Sequence, residues 1–215
     1  MKVLSSEKSP RALTLIDVLI AIATVALVVT FLMIAPTRRT RVSGPRIACV
    51  NNLRQVGLAF RMWSNDHSEH FPWNIAQPAR AGESSATTEL LQYFEIASND
   101  LCSSKILVCP ADPGRTRAIY LAPLSNMNIS YFIGLDSNVT NSNAIVSGDR
   151  NLSTNNVILS GVVNFRTAAK VRWTSAIHNN VGNVGLGDGS VQQVSSSGAR
   201  QCITNAGLPL RLSIP

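Results

Sequence analysis

Charge, aromatic rings and histidine are all scarce in this 215-residue chain, and each shortage removes a class of chemistry. Charged residues make up 14% and aromatics 6% of the sequence, and there are three histidines. His67 and His70, beside Asp66 and Glu69, are spaced to share a helix face, but Phe71-Pro72 signals a helix end and no histidine follows until His178. That segment therefore reads as a polar helix terminus and turn, not a metal motif. The four cysteines include no Cys-x-x-Cys, so a zinc site or a thioredoxin-like role lacks its signature. Gly-x-Ser-x-Gly and His-Glu-x-x-His are both missing, and Ser5-Ser6-Glu7-Lys8, with a Ser-x-x-Lys spacing, lies in a short basic leader. Gly185-x-Gly187-x-Gly189 sits in a hairpin pattern with no helix following, unlike a phosphate loop. The net charge is +7, but only Phe60 and Trp63 interleave with the positive residues, so nucleic acid is not expected as a partner.

What the chain does have is a long apolar run, Leu13 to Ala35, with one carboxylate inside it, Asp17. At ~1.5 Å per residue the run suffices for a hydrocarbon core of ~30 Å. An acid near the centre of such a helix costs roughly 2.5–3.5 kcal/mol, less near its end, so Asp17 calls for a positive partner. An ordinary signal peptide has an apolar region of about 7–15 residues. This one is longer, and Met33-Ile34-Ala35 lacks the small residue expected two before a cleavage point. No cysteine follows directly, which removes a lipoprotein site.

Ala12-Leu13-Thr14-Leu15-Ile16-Asp17 resembles the processing site of type IV prepilins and pseudopilins. In that family a basic leader ends in Gly, followed by Phe-Thr-Leu-Ile-Glu and an apolar helix. A membrane peptidase cuts after the Gly and methylates the new N-terminus. Ala12 stands in the place of the Gly, Leu13 becomes the first mature residue, and Asp17 takes the place of the Glu. The resemblance implies that Asp17 pairs with the α-amine of a neighbouring subunit and so sets assembly register. It also implies prepilin peptidase, other pilin-like subunits, an inner-membrane assembly platform and membrane lipid as partners. The leader, with Lys2, Lys8 and Arg11 against Glu7, is placed in the cytoplasm by the cleavage site. The flanking count, with Arg38, Arg39, Arg41 and Arg46 on the other side, favours the opposite topology.

Three segments follow: a leader (1–12), a membrane or filament-core helix (13–35) and an extracytoplasmic head (36–215). Pro36 is expected to interrupt the helix, and Gly44-Pro45 to do so again. Ile47, Val50, Leu53, Val56 or Gly57, Phe60 and Trp63 then recur at helical spacing, giving a helix over about 46–64 with one apolar face. Gly82 to Ser85 reads as a loop, and Glu89 to Ala97 as a short helix. From about residue 129 the pattern is β: Ile129–Leu135, Ala144–Val146 and Val157–Leu159 are short strands between Asn, Ser, Asp and Gly. Val184–Gly187 and Ser190–Val194 read as a hairpin, with Asp188-Gly189 suited to a type I′ turn. Among the cysteines, Cys102 and Cys109 bracket a short loop and are the best local disulfide candidates, with Cys49 and Cys202 farther away.

His178, nine intervening residues, then Asp188-Gly189 resembles the His-x9-Asp-Gly element that ends a large bacterial class of prepilin-like proteins. Asn51 to Ala59 likewise resembles the segment after the anchor in that class. The expectation is an α+β, pilin-like fold: a long N-terminal membrane-spanning helix extending into a head with a small antiparallel sheet. The implied work is non-enzymatic. The chain would be a bacterial inner-membrane, single-pass subunit of a pseudopilus or type IV pilus-like filament, in type II secretion-like export. The alternatives are an envelope-anchored ligand-binding protein that does not polymerise, or a DNA-uptake minor pilin. His178, Asp188 and Gly189 admit two readings: a structural hairpin element, or part of a calcium site with oxygens from Asp136, Asn138, Asp149, Asn151 and Asp188. No loop carries regular ligand spacing, so no metal or cofactor is assigned.

Overall fold

A computed structural model describes residues 14–33, 40–75 and 86–215. The leader, the Ala12-Leu13 bond, Pro36 and the Gly82–Ser85 loop lie outside these residues. The chain divides into two units, Met1–Arg41 and Val42–Pro215.

In the first unit, α1 (Leu15–Met33) follows from a run that is apolar apart from Asp17, Thr24 and Thr30 and has no Pro or Gly. Its 19 residues give a length of about 28 Å, short of a ~30 Å hydrocarbon core. Among the described residues no helix is long and apolar enough to cross a membrane. The span expected over 13–35 therefore extends past the described helix at both ends.

The second unit is mixed α and β. Among the described residues it contains α2 (Thr40–Asp66) from Val42 onward, α3 (Pro72–Ile75), α4 (Ala86–Ile96) and α5 (Ser196–Ala206). Nine strands are β1 (Tyr131–Gly134), β2 (Ile145–Asp149), β3 (Leu152–Thr154), β4 (Val157–Ile158), β5 (Gly161–Phe165), β6 (Val171–Trp173), β7 (Val181–Leu186), β8 (Val191–Ser195) and β9 (Leu210–Ile214). Six of them form one sheet in the order β5-β9-β1-β2-β7-β8, and three form a second, β4-β3-β6; every pairing is antiparallel.

Alternation of side chains splits the large sheet between two cores. From β1, Tyr131 and Ile133 join α2 and α4, while Phe132 points to the other side, with Leu212, Val184, Trp173 and the α5 residues Ala199 and Ile203. The sheet is thus covered on both faces. On α2 the buried Cys49, Leu53, Val56, Phe60 and Trp63 follow a 4-3-4-3 spacing that traces one helical stripe, with Ala59 and Ser64 buried beside it. Ile47, expected on that stripe, is exposed. Gly44-Pro45 does not interrupt the helix: Pro45 sits in its second turn, where a missing N–H removes one bond and the remaining turns continue.

The Asp188-Gly189 turn also differs from expectation. Gly189 is at φ 85° and Asp188 is not at positive φ, so the two-positive type I′ geometry is absent. Gly189 N donates to Leu186 O at 2.9 Å, closing a turn whose last residue is left-handed. This is the three-residue hairpin, a turn followed by a left-handed glycine. The I′ conformation occurs instead at Asn155-Asn156 (φ 53° and 65°), between the paired Thr154 and Val157 of β3 and β4.

Candidate functional site

The His-x9-Asp-Gly segment runs through β7 and is held by α2 near each end. Arg46 Nη2 donates to the His178 carbonyl at 3.1 Å, and Arg61 donates to the carbonyl of Gly187. His178, Asn179 and Asn180 all have φ between 53° and 62°. Three successive left-handed residues are rare, and two of them are Asn, the type that tolerates this region best. Asn151 stabilises the segment: its amide donates to the carbonyls of Thr174 and Ile177 at 3.0 and 2.9 Å, and to that of Val181 at 3.4 Å. A buried amide therefore ties the loop together on both sides of the histidine.

This loop delivers the His178 ring into the core. Its Nε2 lies 3.3 Å from Cys109 Sγ, 3.4 Å from Asn183 Nδ2 and 3.6 Å from Asp149 Oδ2. Asp149 Oδ2 accepts from Asn183 N at 2.7 Å and Asn183 Nδ2 at 2.9 Å, while Oδ1 has no partner. The His178 and Asp149 side chains are fully buried. Burial, and after it the charge of Arg46, lowers the His178 pKa, so the ring is neutral at pH 7. Burial raises Asp149 to about 7 against the pull of the two Asn183 donors. A neutral ring thus faces a carboxyl that titrates near neutrality across 3.6 Å, which is not a conventional salt bridge.

Cysteine pairing differs from expectation. Cys49 of α2 is bonded to Cys109, 60 residues on, with Cα atoms 5.0 Å apart; Cys102 is free and exposed, and Cys202 is also free. Cys102 is carried outward by the turn at Ser103–Leu107, while Cys109 faces the helix. The disulfide fastens α2 to the loop ahead of β1, directly beside His178. The sulfurs of Cys49 and Cys109 and a ring nitrogen of His178 all lie within 4.8 Å of one another, a spacing that suits a metal. Bonded to each other, the two sulfurs are not thiolate ligands.

The oxygens weighed for calcium are mostly engaged elsewhere. Asp136 Oδ1 accepts from both Nε and Nη2 of Arg211, Asn138 caps its own turn, and Asn151 donates its Nδ2 to the loop while its Oδ1 has no partner. Asp149 faces Asn183, and Asp188 accepts from Ser190 N at 2.8 Å. A buried charge that the sequence pattern does not single out is Asp112, in the turn at residues 111–114. Its buried carboxylate takes a two-pronged contact from Arg150 at 2.7 and 2.8 Å and a hydrogen bond from Ser130 Oγ at 2.9 Å.

In the first unit, Asp17 has a local partner. Its Oδ2 accepts from Thr14 N at 3.0 Å and Thr14 Oγ1 at 2.8 Å, closing the start of α1 in the manner of a capping box. Around it the helix is apolar and exposed: Leu15, Ile16, Leu27 and Phe31 are 66–78% accessible.

No family model matches the chain, and no curated protein or solved structure matches it. The fold class, α+β on antiparallel sheets, rests on the structure itself.

Proposed function

We propose that this chain is a non-enzymatic, pilin-like subunit of a pseudopilus or type IV pilus-like filament, working in type II secretion-like export. The observation that carries the reading is α1: an apolar helix with every described side chain exposed and a single acid in its first turn. Eleven large apolar residues, from Leu15 to Phe31, lie open on it. At ~25 cal/mol per Å² of apolar surface removed from water, such a helix demands lipid or other helices around it. On this reading residues 13–35 cross the bacterial inner membrane once with the head outside, and then pack in a filament core. Prepilin peptidase cuts Ala12-Leu13 and methylates Leu13, and an inner-membrane platform draws the subunits together. Asp17 exchanges its local Thr14 donors for the cationic α-amine of a neighbour. The segment from α2 to the large sheet supports the reading as a helix laid on an antiparallel sheet and locked by Cys49–Cys109.

Mass spectrometry of the membrane-extracted protein tests this directly. A mature chain beginning at methylated Leu13 is expected, and one that retains Met1 or begins near Thr37 overturns it. In the same cells Asp17→Ala is expected to keep membrane insertion and to reduce cross-linkable oligomers at least tenfold, while Asp17→Glu retains them. Loss of the Thr14 contacts alone costs only about 1 kcal/mol of helix end and leaves oligomers in place. Unchanged oligomers in Asp17→Ala therefore make Asp17 incidental to assembly, whereas a wild-type chain without cross-linkable oligomers favours the non-polymerising, envelope-anchored alternative.

A further inference from the structure

Acids are almost absent from the last third of the chain. From Arg150 to Pro215 the only acidic side chain is Asp188, against Arg150, Arg166, Lys170, Arg172, Arg200 and Arg211. Arg150 is neutralised by Asp112 and Arg211 by Asp136. Among the described residues, no carboxylate forms an ion pair with any of the other four.

Three of those four converge. Lys170 sits in the turn leading into β6, where Val171 N donates to the Ala168 carbonyl at 3.1 Å, and Arg172 projects from the exposed side of β6. Arg200, on α5, donates Nη1 to the carbonyl of Val171 at 3.2 Å, placing its guanidinium beside the residue between the other two cations. Antiparallel pairing of Thr154 with Val171 brings the Asn155-Asn156 turn alongside Lys170. The result is a groove of about 280 Å³ lined by Asn155, Asn156, Ala169, Lys170 and Arg172. Ala169 is shared with a second groove of about 510 Å³, where Arg200, Gln201, Thr204 and Asn205 contribute. Gathering three like charges without a counter-charge is unfavourable, and an anionic ligand relieves it.

We infer that these two neighbouring grooves, which share Ala169, form a binding site for a carboxylated polysaccharide, of the uronic-acid type. Guanidinium groups match planar carboxylates in two-pronged fashion. The intervening Asn, Gln and Thr side chains both donate and accept, as sugar hydroxyls do. A duplex phosphate backbone offers acceptors only and leaves the amide carbonyls unmatched. No aromatic side chain lines either groove to stack an unpaired base. The site lies wholly within the second unit and does not depend on whether the chain polymerises.

The test is binding of the detergent-solubilised full-length chain to polygalacturonate, neutral dextran and duplex DNA of matched charge. Saturable binding to polygalacturonate that weakens with added salt is expected, with none to dextran. Lys170→Glu/Arg172→Glu is expected to weaken it at least tenfold while the unfolding midpoint holds. Should that double variant fail to fold, Lys170→Gln/Arg172→Gln is expected to cause a loss of at least threefold. Undiminished binding by the folded variant, equal binding to dextran, or tighter binding to DNA than to polygalacturonate each overturns the inference, the last in favour of a nucleic-acid surface.

Discussion

Asp112 and Asp149 are both buried carboxylates on loops or strands flanking the same sheet, yet they are held in opposite electrostatic states. Burial pushes Asp112 upward, but the Arg150 guanidinium outweighs it, with help from Ser130 and Gly114 N–H, and the pKa ends below its ordinary value. Asp149 has amide donors and a neutral imidazole but no permanent cation, and burial carries it to about 7. The same residue type thus serves as an anchored anion in one place and as a carboxyl that titrates near neutrality in the other. The difference lies in the neighbours: a guanidinium cannot release its proton near neutrality, whereas an imidazole does.

Breaking the first of these should have the largest effect. Arg150→Met leaves the Asp112 charge buried against Ser130 and a backbone N–H. Removing one partner of a buried pair costs about 3–5 kcal/mol, and the 17% exposure of Arg150 points to the lower end. Urea unfolding of the detergent-solubilised chain is the measurement, with Asp112→Asn expected to recover at least half of the loss. A loss under 1 kcal/mol would mean that water already solvates Asp112.

His178→Ala sharpens the second half of the comparison. It should cost about 1–3 kcal/mol, because the groups packed around the ring lose their neighbour in a dry site. Its stronger signature lies in pH. The raised pKa of Asp149 means that folding takes up a proton, so its contribution to stability falls as pH rises from about 3.8 to about 7. The lowered pKa of His178 means that folding releases one, so its contribution is lost as pH falls below 6.5. In the wild type the two oppose each other over their shared window, and stability there should be nearly flat with pH. Without His178, stability should decline toward neutral pH, by up to about 1.4 kcal/mol per pH unit. A flat profile in the variant would show that Asp149 is ionised throughout.

The pair was only partly legible in the sequence. The His-x9-Asp-Gly spacing located His178, and the α2 stripe located Leu53, Phe60 and Trp63, because both depend on near neighbours in the chain. Asp149 drew notice only as an oxygen donor, since nothing local announces that Asn183, 34 residues away, faces it. The Cys49–Cys109 bond escaped for the same reason: proximity in sequence favoured Cys102, and only packing of α2 against the loop before β1 selects Cys49. Strand β9 could have been found, because Leu210, Leu212 and Ile214 alternate with Arg211 and Ser213. Its place between β5 and β1 could not, as strand order is set by contacts that cross the whole head.

The smallest effect on stability is expected from Asp149→Asn. At pH 5 the native carboxyl is already protonated, so a neutral amide replaces a neutral acid of nearly the same shape. One of its atoms meets the two Asn183 donors as Oδ2 does, and the other occupies the unpartnered Oδ1 position. The cost there should stay within about 1 kcal/mol, as the hydrogen bonds are kept and no charge is stranded. The variant also reverses the pH signature of His178→Ala. With Asp149 no longer titrating, His178 acts alone, and stability should rise with pH up to about 6.5. Opposite slopes in the two variants, around a flat wild type, are the mark of a protonated Asp149 facing a neutral His178. Parallel slopes would mean that Asp149 is a second anchored anion like Asp112.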